Sequence, residues 1–182
     1  MRIIAGTAKG RNLKSPKGMS TRPTSDRVRE ALFNILSYEV PGSRILDLFS
    51  GTGAVAIEAL SRGAAKAVLV EKDRNTSKII GENLRLCNVL DKAEVMTTEV
   101  SQAIQVLGRK KESFELIFID PPYKRGFEIP TLQKVLEYDL LTNEGILIVE
   151  SDRADLPPDM VGGLRVFRRE RYGDTMLSFY RL

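Results

Sequence analysis

Histidine is absent from the 182 residues, and cysteine occurs once, as Cys87. Without imidazole there is no Ser-His-Asp triad and no histidine general base. A single thiol cannot close an internal disulfide, and without histidine it leaves no His/Cys zinc set. Both facts suit a reducing compartment. No apolar run is long enough to span a bilayer, and no signal-peptide pattern opens the chain, so a cytoplasmic location without membrane attachment is expected. Neither a repeat nor a low-complexity tract interrupts the sequence. A hydrophobic share of 42% is enough for one sizeable core.

The charge that is present is unevenly placed. Residues 1–29 hold eight Lys/Arg against one acid, a net +7, so the remainder carries −3 of the overall +4. A basic head on a mildly acidic body is the electrostatic footprint of a phosphate-binding surface. Arg2, Lys9, Arg11, Arg22, Arg27 and Arg29 are its candidate contacts. Two short strands around Thr7-Ala8-Lys9-Gly10 are expected there, then a polar loop from Ser15 to Arg22. A helix follows, capped by Thr24 or Ser25, with Val28, Ala31, Leu32, Ile35 and Leu36 on its inner face and Arg27 and Arg29 offered outward.

From Arg44 onward strands and helices alternate, which argues for an α/β fold with a mainly parallel sheet. The expected strands are Ile45–Phe49, Ala67–Glu71, Ala93–Met96, Leu116–Asp120 and Gly145–Glu150, with helices near 53–62, 74–86, 101–108 and 129–138. Leu164–Tyr172 and Thr175–Leu182 flank Gly173-Asp174 as an antiparallel hairpin. The sum is a Rossmann-like sheet of seven strands in a single domain. Residues 1–43 form a basic N-terminal extension and residues 44–182 a catalytic core.

Two motifs carry chemistry. Asp47-Leu48-Phe49-Ser50-Gly51-Thr52-Gly53 lies between a strand and a helix, and glycines there let a nucleoside approach the backbone. Glu71, twenty residues past Gly51, is placed to accept hydrogen bonds from ribose hydroxyls. These features admit a dinucleotide or S-adenosylmethionine. Asp47 favours the latter, because a carboxylate there suits a sulfonium and a methionine ammonium better than a pyrophosphate. The second motif, Asp120-Pro121-Pro122-Tyr123, ends a buried strand. Its prolines stiffen the chain and hold a carboxylate and carbonyls as acceptors beside an aromatic ring. An ordinary strand-ending turn would use the same residue types.

The glycine motif looks like motif I of class I S-adenosylmethionine-dependent methyltransferases, and the corner looks like the [DNS]-PP-[YFW] motif of amino-group methyltransferases. With Arg2-Ile3-Ile4-Ala5-Gly6 and the run Arg22-Pro23-Thr24-Ser25-Asp26-Arg27-Val28-Arg29-Glu30-Ala31-Leu32-Phe33-Asn34-Ile35-Leu36, the whole chain resembles the bacterial small-subunit ribosomal RNA (guanine-N2)-methyltransferase family, RsmD type. The resemblance implies methyl transfer from S-adenosylmethionine, without a metal, to a guanine N2 in 16S rRNA. The implied partner is an assembled or assembling small subunit, and the implied state is a monomer. It assigns Asp47, Phe49, Ser50, Gly51, Thr52, Gly53, Glu71 and Lys72 to the donor pocket. Glu99 and Val100 join them at the adenine, although Glu-Val stands where Asp-Ala is commoner. Asp120, Pro121, Pro122 and Tyr123 form the acceptor site, with Lys124 on substrate phosphate. An N6-adenine DNA methyltransferase shares the corner and is the alternative. A nicotinamide-dependent oxidoreductase is a further alternative that a cofactor-binding titration separates, and a non-catalytic nucleic-acid-binding module leaves both the donor pocket and the acceptor corner unexplained.

Overall fold

Period-two burial on both faces makes the sheet. The computed structural model describes residues 1–16, 25–122 and 125–182. Its first four strands, β1 (Arg44–Asp47), β2 (Lys66–Val70), β3 (Ala93–Met96) and β4 (Phe114–Ile119), are parallel. Ile45, Leu69, Leu116 and Phe118 enter one apolar layer, whereas Leu46, Val68, Ile117 and Ile119 enter the other. Strands buried on both sides need cover on both sides. Helices α1 (Asp26–Ile35), α2 (Ala54–Ser61) and α3 (Arg74–Leu86) cover the first face, and α4 (Val100–Arg109) and α5 (Glu128–Glu137) the second.

The sheet continues through β5 (Leu141–Asp152), parallel to β4. It then reaches the antiparallel strands β6 (Met160–Val161), β7 (Leu164–Tyr172) and β8 (Thr175–Arg181), in the order β3-β2-β1-β4-β5-β8-β7-β6. All seven expected strands are present. The two-residue β6 is an addition, too short to show periodicity, and makes eight. β5 starts four residues before the expected Gly145 because Leu141 already pairs with Phe114, ahead of a register shift.

The helix boundaries follow from capping. Ser25 accepts the Val28 amide at 3.2 Å to start α1, and Asp73 accepts the Thr76 amide at 2.7 Å to start α3. Gly63, at φ 104°, closes α2 with the Ala64 amide on Ala59 and its own on Leu60.

The basic head is not a free-standing hairpin. Arg2 and Asn12 form a single antiparallel bridge, flanked by backbone hydrogen bonds from Ile3 to Arg11, Gly10 to Ile3 and Leu13 to Met1, so the segment turns back on itself as a small hairpin without a longer strand ladder. The reason is competition from α2. The Glu58 carboxylate accepts the Ile4 and Ala5 amides at 2.8 and 3.0 Å, and Ser61 takes the Ala8 amide on its hydroxyl and the Thr7 amide on its carbonyl. Gly6 lies so close that a Cβ there would sit 1.8 Å from the Ser61 carbonyl oxygen, at a φ of +79°. Ile3, Ala8 and Leu13 thereby share the apolar layer beneath α1 and α2.

Arg29 corrects the expectation for α1. It is fully buried, not turned outward, with Nε 3.6 Å from Glu58 and Nη2 3.0 Å from Asp26, and it donates to the Arg2 carbonyl. Glu58, also fully buried, holds Arg62 at 2.8 Å as well. Replacing Glu58 by Ala takes a carboxylate from two guanidinium groups and two backbone amides inside the core. Urea unfolding should show a loss of about 3–5 kcal/mol, the usual cost of breaking a buried pair. A loss under about 1 kcal/mol, the surface-pair range, would refute the role given to it.

Candidate active site

The order β2-β1-β4 places a topological switch at the C-terminal end of β1, the position where open α/β sheets bind ligands. Asp47 pairs with Leu69 on one side and Phe118 on the other, so the segments that follow β1, β2 and β4 emerge together. These segments carry Ser50 to Gly53, Glu71-Lys72 and Asp120-Pro121-Pro122.

The glycine turn is tightly built. Ser50 donates its amide to Val70 at 3.0 Å and its hydroxyl to the Asp47 carbonyl at 2.8 Å, and the Gly53 amide returns to Ser50 at 2.7 Å. Gly53 is left-handed at φ 78°, starts α2, and is packed against Leu69 and Ile80. Gly51 is also left-handed, but its missing Cβ would meet nothing within 4 Å. The turn is therefore packed on its inner side and open on its outer side. Glu71 closes one end of it, accepting the Gly51 amide at 3.1 Å and the Asp73 amide at 2.9 Å.

Asp47 has a different surrounding. It is 1% exposed, and its Oδ1 has no hydrogen-bond partner among the described residues. Burial pushes its carboxyl up to about 7. The Ala56 amide at the start of α2 and the Ser50 hydroxyl pull against this, and the Glu71 charge adds to it. A buried carboxylate with an unsatisfied oxygen beside an open glycine turn is suited to a cationic ligand.

The other expected residues divide. Lys72 and Glu99 meet at 3.7 Å across the rim, both more than half exposed. Val100 opens α4 and packs half-buried under the second face. The Thr52 carbonyl is held at 3.0 Å by the buried Asn83 side chain, which also exchanges hydrogen bonds with the Lys14 backbone. Phe49 is half-buried, 6.2 Å from Phe127. At the corner Asp120 is half-buried, Pro121 buried and Pro122 exposed. Tyr123 and Lys124 lie outside the described residues, as does Arg22. Asn83 and Phe127 were not anticipated. A polar residue on the buried stripe of α3 was the available signal for Asn83, and Phe127 offered none.

Among the cations of the head, Arg2, Lys9 and Arg27 line one groove of about 310 Å³, shared with Asp26 and Glu30. Arg11 donates to the Leu86 carbonyl. Cys87 caps α3 from a buried position, and burial raises its thiol pKa, which makes it a poor nucleophile. Among the described residues no cluster of His, Cys, Asp or Glu could hold a metal ion, and no helix is long and apolar enough to cross a membrane.

Residues 1–181 match the family model described as Conserved hypothetical protein 95, the RsmD family. The chain belongs to that family. YlbH of Bacillus subtilis is 38% identical over all of this chain and 98% of its own. Ribosomal RNA small subunit methyltransferase D of Escherichia coli is 35% identical over all of this chain and 89% of its own. The solved structure of yhhF from Escherichia coli superposes with a TM-score of 0.88 at 32% identity, covering 99% of this chain and 96% of that one. The fold of the family member described here is that of the class I methyltransferases.

The raised Asp47 pKa has a signed consequence. Between the ordinary 3.8 and about 7 the folded chain binds a proton that the unfolded chain releases, so this group's contribution to stability falls as pH rises through that window. A cationic ligand favours the ionised carboxylate. Affinity for S-adenosylmethionine, followed by calorimetry, should therefore rise between about pH 5.5 and 7, by up to roughly tenfold per unit. Asp47→Asn should flatten that rise and weaken binding, while stabilising the ligand-free chain at pH 8. A flat profile in the unsubstituted protein would remove Asp47 from the donor pocket.

Proposed function

We propose that this RsmD-family chain transfers the methyl group of S-adenosylmethionine to the exocyclic N2 amino group of a guanine in 16S ribosomal RNA, within the small subunit. The observation that carries the reading is the pairing of β1 with β4. It sets the Asp47 turn and the Asp120-Pro121-Pro122 corner on neighbouring strand ends, in a chain alike over its whole length to a named small-subunit rRNA methyltransferase.

The residues fit the donor. Asp47 offers a buried, unsatisfied oxygen to a cation, and Gly51 leaves open space beside the turn. Glu71 spends one lone pair of each oxygen on backbone amides and keeps acceptor capacity for hydroxyls. When bound, the donor supplies a methyl group already activated on a positively charged sulfur.

The chain's own task is to prepare the acceptor. An exocyclic amino group is a poor nucleophile because its lone pair is delocalised into the purine ring. Asp120 and the Pro121 carbonyl can accept its two N–H bonds and hold it where that lone pair is free to leave the ring plane. Fixed alignment of this kind supplies a large part of a barrier reduction. Positive charge grows on the nitrogen during attack, and the Asp120 carboxylate opposes it and can take up the departing proton. The stiffness of the two prolines keeps the acceptors in place. Tyr123, one residue on, is proposed to stack on a base drawn out of its RNA neighbours.

Small subunits from cells lacking this enzyme, incubated with methyl-labelled donor, should gain label in N2-methylguanine when nucleosides are resolved by mass spectrometry. Label in adenine would redirect the reading, and no label in any rRNA form would overturn it. Asp120→Ala should cut turnover by about 10²-fold or more while changing donor affinity little. Near-normal turnover of that variant would remove the corner from the chemistry.

A further inference from the structure

The C-terminal hairpin carries a charge pattern that the donor and acceptor sites do not use. Residues 164–182 hold five arginines against two acids, inside a body that is otherwise acidic. Cross-strand register sorts them by face. Residues opposite one another in an antiparallel pair share a face. Arg165 lies opposite Arg181, Arg168 opposite Phe179 and Tyr172 opposite Thr175, on the side where Phe179 and Tyr172 meet the layer under α1. Arg169 lies on the other side and is spent on Ser178, Asp159 and the Pro157 carbonyl.

Phe167 is the extra residue where the β7–β8 register shifts between Val166 and Arg168. Bulges re-aim a side chain. Here the ring is 47% exposed, 6.3 Å from Phe179, with the Arg181 guanidinium 4.5 Å above its centroid. Arg168, nearly half exposed, is braced by Glu170 at 2.9 Å. Towards the C-terminal end of β7, Tyr172 shares this face and packs half-buried against the layer that α1 covers, which brings the hairpin beside the helix that carries Arg27. Arginines along an outer strand also deter edge-to-edge pairing. That role has no use for an exposed phenylalanine turned out by a bulge, whereas an exposed ring with one guanidinium over its face and another beside it offers an unpaired base a stacking surface, aromatic or guanidinium, and its phosphates two positive charges.

The position is suitable as well. Ile119, the residue before Asp120, is level with Val149, Val149 with Ser178, and Ser178 with Arg169. Phe167 sits before Arg169, between the levels of Ile117 and Phe118, so the platform lies about 15 Å to the side of the acceptor corner, taking three strand spacings, and roughly 7–10 Å back from it along the strands.

We propose that Phe167, Arg168 and Arg181, continued by Arg27 and Tyr172, form a second RNA-contact surface, which stacks an unpaired nucleotide of the substrate rRNA a few residues from the methylated guanine. This rests on the rRNA reading above. The test measures binding of the full chain to small subunits from cells lacking this enzyme, across 50–300 mM salt. Arg168→Ala with Arg181→Ala should weaken binding at least tenfold and lower the salt slope by about two, at roughly 0.9 per phosphate contact. Phe167→Ala should weaken it about tenfold with the slope unchanged, and Phe167→Tyr should restore it, as expected for stacking. Affinity for S-adenosylhomocysteine stays unaltered in each. Phe167→p-benzoylphenylalanine, irradiated on the particle, should crosslink to rRNA. Normal binding by the folded variants, or a crosslink confined to a ribosomal protein, overturns the surface while leaving the function standing. If the unsubstituted chain binds no rRNA, the functional reading fails first and this one with it.

Discussion

The buried carboxylate of Glu58 is the interaction on which the arrangement depends. It sits in α2, the helix launched by the glycine turn, and it gathers two guanidinium groups and two backbone amides from the N-terminal segment. A charge this deep is tolerable only when its partners surround it. The same helix points its N-terminus towards a second buried carboxylate, Asp47, whose Oδ1 is left without a partner. The contrast separates architecture from function within one element. Glu58 is satisfied by the protein and holds it together. Asp47 is not, and burial raises its proton affinity, which suits the donor-binding role proposed for it.

The N-terminal segment is thereby coupled to the donor turn. Glu58 and Ser61 hold its first loop on the far end of α2, and Asn83 ties Lys14 to the Thr52 carbonyl. The backbone amides of Ile4, Ala5, Thr7, Ala8 and Lys14 find their acceptors on α2 and α3, while Ile3, Gly10 and Leu13 pair across the segment's own turn. The cations it displays, Arg2 and Lys9, are consequently fixed relative to the pocket and not carried on a loose arm.

Much of this was legible in the sequence, and the failures have physical causes. Strands β1 to β4 announced themselves as short apolar runs, α1 by its Ser25 cap, and the hairpin by Gly173-Asp174. The rotation of α1 was not legible. Its buried face is Val28, Arg29, Leu32 and Phe33, and an arginine belongs there only because Glu58, remote in sequence, comes to meet it. Periodicity ranks residues by side-chain polarity and cannot see such a partner. The head's two expected segments do pair, but only through one bridge and a few backbone hydrogen bonds, because α2 supplies competing acceptors. At the site, residue types and order exposed the motifs, but the unsatisfied oxygen of Asp47 is a property of packing and appears only in three dimensions.

The proposed contact surfaces are cut from elements that also build the core. Helix α1 does both: Leu32 and Phe33 fill the apolar layer while Arg27 remains exposed near Tyr172. The β7–β8 hairpin does the same, with Leu177 and Phe179 inside and Phe167 outside. Binding energy collected at such surfaces helps the reaction only if it fixes the distance between the bound strand and the reacting nitrogen. The route from β7 to the corner runs through β8, β5 and β4, paired side by side without a loop between them and with a register shift at Phe167. A paired sheet is a rigid spacer. Under the proposed function and contact surface, discrimination between RNA sites would turn on whether a strand gripped at Phe167 can bring its guanine to Asp120 across that fixed interval.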